Sequence, residues 1–183
     1  MGDPWTDVGV VETYTGRQFD VFDPVAEAVD LDDIAAGLAH TCRFGGHCQH
    51  FYSVAHHSLH VSRELPEDEP RLQLLGLFHD AAEAYVGDVP RPLKARYDVF
   101  ERVEAEVLDA IWRALDVDPP DETEWERVMT ADDRLLAYEA GNVLEDGSWA
   151  GEPPDLAYEL RSDSIETIRT QFLSRSETLR DRV

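Results

Sequence analysis

The segment Leu72-Gln73-Leu74-Leu75-Gly76-Leu77-Phe78-His79-Asp80-Ala81-Ala82-Glu83 is apolar enough to demand burial, yet it carries an imidazole and a carboxylate side by side. A carboxylate taken out of water costs several kcal/mol, as a rough figure, unless it is paired or bound to a cation. Whatever fold the chain adopts must therefore bring partners to His79 and Asp80. Adjacent helical residues point about 100° apart and cannot satisfy one another. One solution sets Asp80 against a distant arginine and His79 against a backbone carbonyl. A divalent metal ion would satisfy both at once, provided that further ligands arrive from other helices.

Two other segments offer such ligands. Phe51-Tyr52-Ser53-Val54-Ala55-His56-His57-Ser58-Leu59-His60-Val61 has apolar positions at helical spacing and carries three histidines. Val128-Met129-Thr130-Ala131-Asp132-Asp133-Arg134-Leu135-Leu136-Ala137-Tyr138 is a second helical run, with an acidic pair just before its apolar stretch. Along the chain the order is His, then His-Asp, then Asp.

That order, with its neighbours, resembles the HD-domain metal-dependent phosphohydrolases. The resemblance covers about residues 14 to 145. It is carried by Cys42-Arg43-Phe44-Gly45-Gly46-His47, by His50 through Ser58, by His79-Asp80-Ala81-Ala82-Glu83-Ala84-Tyr85, and by Gly87-Asp88-Val89-Pro90-Arg91-Pro92-Leu93-Lys94. It implies an all-α bundle binding one divalent ion, with His57, His79 and Asp80 as ligands. Position 56, usually Gln or Glu in the related branch, is His here. For the fourth ligand, aligning Ala131-Asp132 with the run Leu136-Ala137-Tyr138-Glu139-Ala140 favours Asp132, whereas the spacing of the bacterial 5'-deoxynucleotidases favours Asp133. Asp132 is taken as the ligand, and the acid left over as an exposed carboxylate near a helix N-terminus.

A metal held by two histidines and two aspartates with open positions can activate water and polarise a phosphoryl oxygen. Leaving-group protonation then needs a positioned acid. On a continuous helix Glu83, four residues after His79 and three after Asp80, shares their face, which makes it the candidate general acid or base. Asp88 resembles a second active-site carboxylate of the deoxynucleotidases, and could equally be a turn residue. For the phosphate, Arg43 can bind bidentately beside the aromatic Phe44, a pair similar to one that senses the sugar in deoxynucleotidases. Lys94 could also face the phosphate. His47 and His50 could donate to substrate or serve capping and packing. Cys42 and Cys48 lack the second Cys pair of a structural zinc site, so free thiols are expected.

The 39 acidic against 16 basic residues give a formal charge of −23, and Lys94 is the only lysine. This resembles proteins of salt-loving organisms, where at about 1 M salt a Debye length of ~3 Å screens the self-repulsion. No basic stripe exists to neutralise a nucleic acid polymer. A mononucleotide, neutralised locally by the metal and one arginine, remains compatible. The sequence shows no signal peptide and no apolar run of membrane-spanning length, so a cytoplasmic protein without a membrane partner is expected.

At 183 residues the chain fits one domain. We read residues 1–31 as an N-terminal hairpin or extended segment around a Thr-Gly turn, 32–145 as the HD core, and 146–183 as a loop or lid followed by a last helix from about Ser164. The expected function is a metal-dependent phosphohydrolase acting on a nucleotide, with a 5'-deoxynucleotidase for deoxynucleoside monophosphates as its sharpest version. Cleavage of a nucleoside triphosphate or guanosine tetraphosphate, and a non-catalytic metal-bound sensing module, are the alternatives. Mixed His and carboxylate ligands suit Mn, Co, Fe, Ni, Zn or Mg. The relatives imply a homodimer.

Overall fold

The computed structural model describes residues 10–156, 160 and 163–183, so residues 1–9 of the N-terminal segment and 157–159 and 161–162 of the C-terminal one lie outside the described residues. The chain opens with an antiparallel hairpin, β1 (Val10–Glu12) and β2 (Gln18–Asp20), in the register Val11↔Phe19. Gly16, at φ +80°, closes its turn. Thr15 then fastens the hairpin to the first helix, its backbone N–H and hydroxyl donating to Asp33 at 2.6 and 3.0 Å. Phe19 is fully buried and stacks on Tyr85 at 3.9 Å.

Everything after the hairpin is helix and connector, as the sequence leads one to expect. Helix α1 (Leu31–His40) is capped by Asp30 and α2 (Val54–Glu64) by Ser53. Helix α3 (Pro70–Phe78) has Pro70 in its first turn, where the missing N–H costs nothing. Short helices α4 (Glu83–Val86) and α5 (Arg91–Lys94) lead into α6 (Val99–Leu115). Helix α7 (Glu122–Val143) begins with a reciprocal capping box between Asp121 and Glu124, and α8 (Ile165–Arg180) is capped by Ser164. No helix of the described residues is long and apolar enough to cross a membrane.

Helix α3 is the centre of the molecule: every residue from Leu72 to Phe78 is buried, which is why it shows no polar face. It packs on α2, α7 and α8. Phe78 meets Trp112 of α6 and Phe172 of α8 edge to face. Each large apolar side chain so buried contributes about 1.5–3 kcal/mol. Helices α1 and α4 touch through Gly37, where a Cβ would stand 2.7 Å from the Ala84 carbonyl oxygen. The segment 146–155 is a loop with one tight turn, Ser148–Ala150, packed on α7.

One local expectation needs correction. The His-Asp pair does not lie within a continuous helix: α3 ends at Phe78, and the chain continues through tighter turns with bonds from Ala81 N–H to Phe78 O and Glu83 N–H to Asp80 O. The same-face argument for Glu83 assumed α-helical spacing throughout. The pair sits where a helix end faces other elements, and there a polar side chain can reach partners that a mid-helix position would deny it.

Candidate metal centre

His57 from α2, His79 just past α3, and Asp132 from α7 converge, all three buried, with one ligand atom of each within 4.8 Å of the others. The two Nε2 atoms are 3.3 Å apart. Asp132 Oδ1 is 3.0 Å from His57 Nε2. Asp80 Oδ2 stands at the side, 3.2 Å from His79 Nε2 and 3.6 Å from His57 Nε2.

The other ring nitrogens decide what these atoms can do. His79 Nδ1 lies 2.8 Å from the Gly76 carbonyl, which only accepts, so the proton is on Nδ1. His57 Nδ1 donates to Glu139 Oε1 at 2.7 Å. Each neutral imidazole therefore turns a bare Nε2 lone pair toward the other, beside two carboxylates. Four acceptors around one point repel unless a cation sits among them. Burial and the Arg43 charge both oppose protonation of His57, yet Glu139 and Asp132 outweigh them and lift it to about 10. The pocket is thus built to hold positive charge, and two imidazole nitrogens with carboxylate oxygens form a donor set suited to a divalent ion. The non-metal pairing is also partly realised, since His79 meets a carbonyl and Asp80 faces Arg43 NH1 at 3.7 Å. It leaves the two Nε2 lone pairs unanswered.

Glu139 underpins this arrangement. Seven residues after Asp132, two helical turns along α7, it faces the same way. It is fully buried and accepts from His57 Nδ1, from the Tyr52 hydroxyl at 2.7 Å and from Arg43 NH2 at 3.0 Å. Burial alone would raise its pKa, but His57 and Arg43 bring it down to about 2. The sequence reading gave Glu139 no role. Its signal was the one that marked Asp80, a carboxylate inside an apolar run.

Arg43 is buried between Glu139 and Asp80, and its Nε has no hydrogen-bond partner. Its guanidinium lies 5.4 Å from the centre of the Phe44 ring. Phe44, Gly45 and Gly46 take φ of 55°, 60° and 82° in succession, a left-handed stretch that glycine tolerates and Phe44 adopts at a cost. The loop is tied down by a bond from Arg43 N–H to Tyr52 O and by the Cys42↔Ser53 bridge. Both cysteines are free, and the Cys48 thiol donates to the Arg43 carbonyl. His47 and His50 are exposed and outside the metal cluster. His56 is buried against Tyr52 rather than in the cluster.

The rim is built from α4, α5 and the loop between them. Arg91, which the sequence reading left without a role, donates to Asp132 Oδ2 at 2.7 Å and to Asp133 Oδ1 at 3.0 Å. Asp133 is exposed, its side chain 66 % accessible. Glu83 is buried, and its Oε1 accepts from Lys94 Nζ at 3.0 Å. Burial, then the Asp80 charge, hold its pKa well above the usual carboxylate range against the pull of Lys94. Asp88 is half-buried, and its charge is felt by Arg43, Glu83 and Glu104.

Residues 43–146 match a family model described as HD domain. An uncharacterized Escherichia coli protein, YfdR, is 37 % identical over 141 residues, covering 76 % of this chain and 75 % of its own. An uncharacterized protein of Rhodobacter capsulatus is 39 % identical over 87 residues, 44 % of each chain.

Proposed function

The chain belongs to the HD-domain family, which points to a metal-dependent hydrolase, and from that premise we propose that it releases phosphate from a nucleotide, as a 5'-deoxynucleotidase acting on deoxynucleoside monophosphates. The observation that carries the reading is the pair of buried Nε2 lone pairs turned on one another beside Asp132 and Asp80. His57, His79, Asp80 and Asp132 would hold the ion. When bound, a divalent ion supplies Lewis-acid polarisation of the phosphoryl oxygen and a water nucleophile at neutral pH.

The protein's own groups divide the remaining work. Arg43 is pinned by Glu139 with Nε unused, so it can donate to a phosphoryl oxygen without first being oriented. Phe44 beside it offers a face for the sugar. Asp80 is held well below the usual carboxylate range: burial opposes this, and His79, His57 and Arg43 outweigh it. Glu83 is held above that range. Two carboxylates whose proton affinities are pushed apart are the pattern of a fixed anion and a proton donor, so Glu83 is the group that protonates the leaving oxygen. Asp88 would orient water or sugar. The acid excess fits catalysis in a salt-rich cytoplasm, and a homodimer is the assembly we expect.

The test is phosphate release from ribo- and deoxyribonucleoside mono-, di- and triphosphates with Mn, Co or Mg in molar KCl, beside an Asp80→Ala control. Selective release from deoxynucleoside monophosphates, lost in the control, supports the reading. Release from triphosphates alone transfers it to another phosphate bond. Silence from a folded, metal-loaded protein sinks it in favour of a sensing module.

A further inference from the structure

Lys94 is the only lysine in the chain, and it is not spent on the surface. Its side chain is 20 % exposed, and its Nζ lies between two carboxylates, 3.0 Å from Glu83 Oε1 and 2.8 Å from Glu104 Oε1. The three residues come from three elements: Glu83 from α4, Lys94 from α5 and Glu104 from α6. Every other permanent cation is an arginine, so an ammonium here is a departure from what this sequence otherwise uses. A compact point charge with three donors can bridge two carboxylates in a narrow space where a planar guanidinium needs more room.

Two features argue against Lys94 as a phosphate ligand. Two carboxylates already bind its ammonium, and burial works against its charge while Glu83 and Glu104 more than restore it. An anion would have to displace one of them. Glu83, for its part, is 5 % exposed at the side chain, with Oε1 fixed by Lys94 and Oε2 buried without any hydrogen-bond partner. A buried carboxyl oxygen left without a partner costs about 1–3 kcal/mol, which marks a group kept for an occasional partner.

We propose that Lys94, braced by Glu104, is a positioning residue that fixes the Glu83 side chain through Oε1 and leaves Oε2 free for the proton of the reacting oxygen. This deepens the phosphohydrolase reading and rests on it. Proton delivery needs the donor held within hydrogen-bond reach, and Glu83 stands at the start of a four-residue helix that has little rigidity of its own. Lys94 ties it to α6, a helix of 17 residues.

A single lysine makes the test direct. Protein grown on lysine labelled with 15N at Nζ gives one side-chain ammonium resonance, followed in the full chain loaded with Mg2+. Glu83→Gln and Glu104→Gln should each move it, and inorganic phosphate at saturation should not. A phosphate-dependent shift, or indifference to both substitutions, overturns the proposal. This arm needs no turnover, so it stands or falls even if the nucleotide panel is silent. In turnover, Lys94→Met should lower kcat about 100-fold with KM and divalent-ion affinity within about twofold, and Lys94→Arg should recover part of it. A raised KM with kcat intact would make Lys94 a phosphate ligand instead. If Lys94→Met does not fold, the near-isosteric Glu104→Gln serves, with a smaller loss confined to kcat.

Discussion

At the floor of the centre, His57 and Glu139 are fully buried and Asp132 is 4 % exposed, each held by partners from another helix. At the rim the Arg91 side chain is 59 % exposed, and it reaches Asp132 and Asp133 from a four-residue helix between two prolines. Both regions are made of charged groups at hydrogen-bonding distance, yet they should respond very differently to change. Removing one member of a buried set strands the others without water, whereas an exposed pair is screened and contributes about 0–1 kcal/mol.

The largest effect is expected at Glu139. Glu139→Ala would strip His57, Tyr52 and Arg43 of their common acceptor, costing about 3–5 kcal/mol in urea unfolding and about 10–100-fold in divalent-ion affinity by calorimetry. A variant as stable as the parent would erase the distinction between floor and rim. Next comes the adjacent acidic pair. Asp132→Ala should lower ion affinity at least about tenfold while Asp133→Ala changes it less than about twofold, because Asp133 meets only Arg91 and solvent. Equal losses would mean that both face the ion.

Gly37 lies between the two regions, since α1 rests there on the helix that begins with Glu83. Gly37→Ala should cost about 1–3 kcal/mol by overpacking, seen as a lower Tm and, through displaced α4, a lower kcat. An unchanged Tm would show that α4 yields, placing it with the rim. A pH effect separates two neighbouring floor residues. Burial pushes His56 down to about 4 from its usual 6.5, so its unfolded form binds the proton first. Its contribution to stability is whole above about pH 6.5 and lost as the pH falls toward 4. His56→Gln should flatten that part of the stability profile; an unchanged slope would assign the loss to other groups. The smallest effect is expected from Arg91→Ala, within about 0.5 kcal/mol of the parent in stability and with ion affinity nearly intact. A large loss would extend the floor outward to α5.

The two regions also differed in how far the sequence revealed them. Helix starts were legible because their causes are local: Pro70 in a first turn, Ser53 and Ser164 as caps, and Asp121 with Glu124 three residues on. The convergence of His57, His79 and Asp132 was foreshadowed by polar groups set in apolar runs. What could not be read was pairing over long separations. Arg43 and Glu139 are 96 residues apart and His57 and Glu139 82 apart, and no spacing rule links them. Lys94 illustrates the same limit. As a lone cation in an acidic chain it invited a phosphate reading, and only folding shows it between Glu83 and Glu104. The end of α3 at Phe78 was hidden because the apolar pattern runs on through Ala82.

Helix α7 carries both Asp132 and its supporting Glu139, and this restricts how the gene can drift in length. Loss or gain of one codon between those positions would rotate Glu139 by about 100° and turn it away from His57. The same event in the connector after Val143 would shift only surface chain, which tolerates it. Indels in descendants of this sequence should therefore accumulate beyond α7 and be purged from the two turns that join ligand to support.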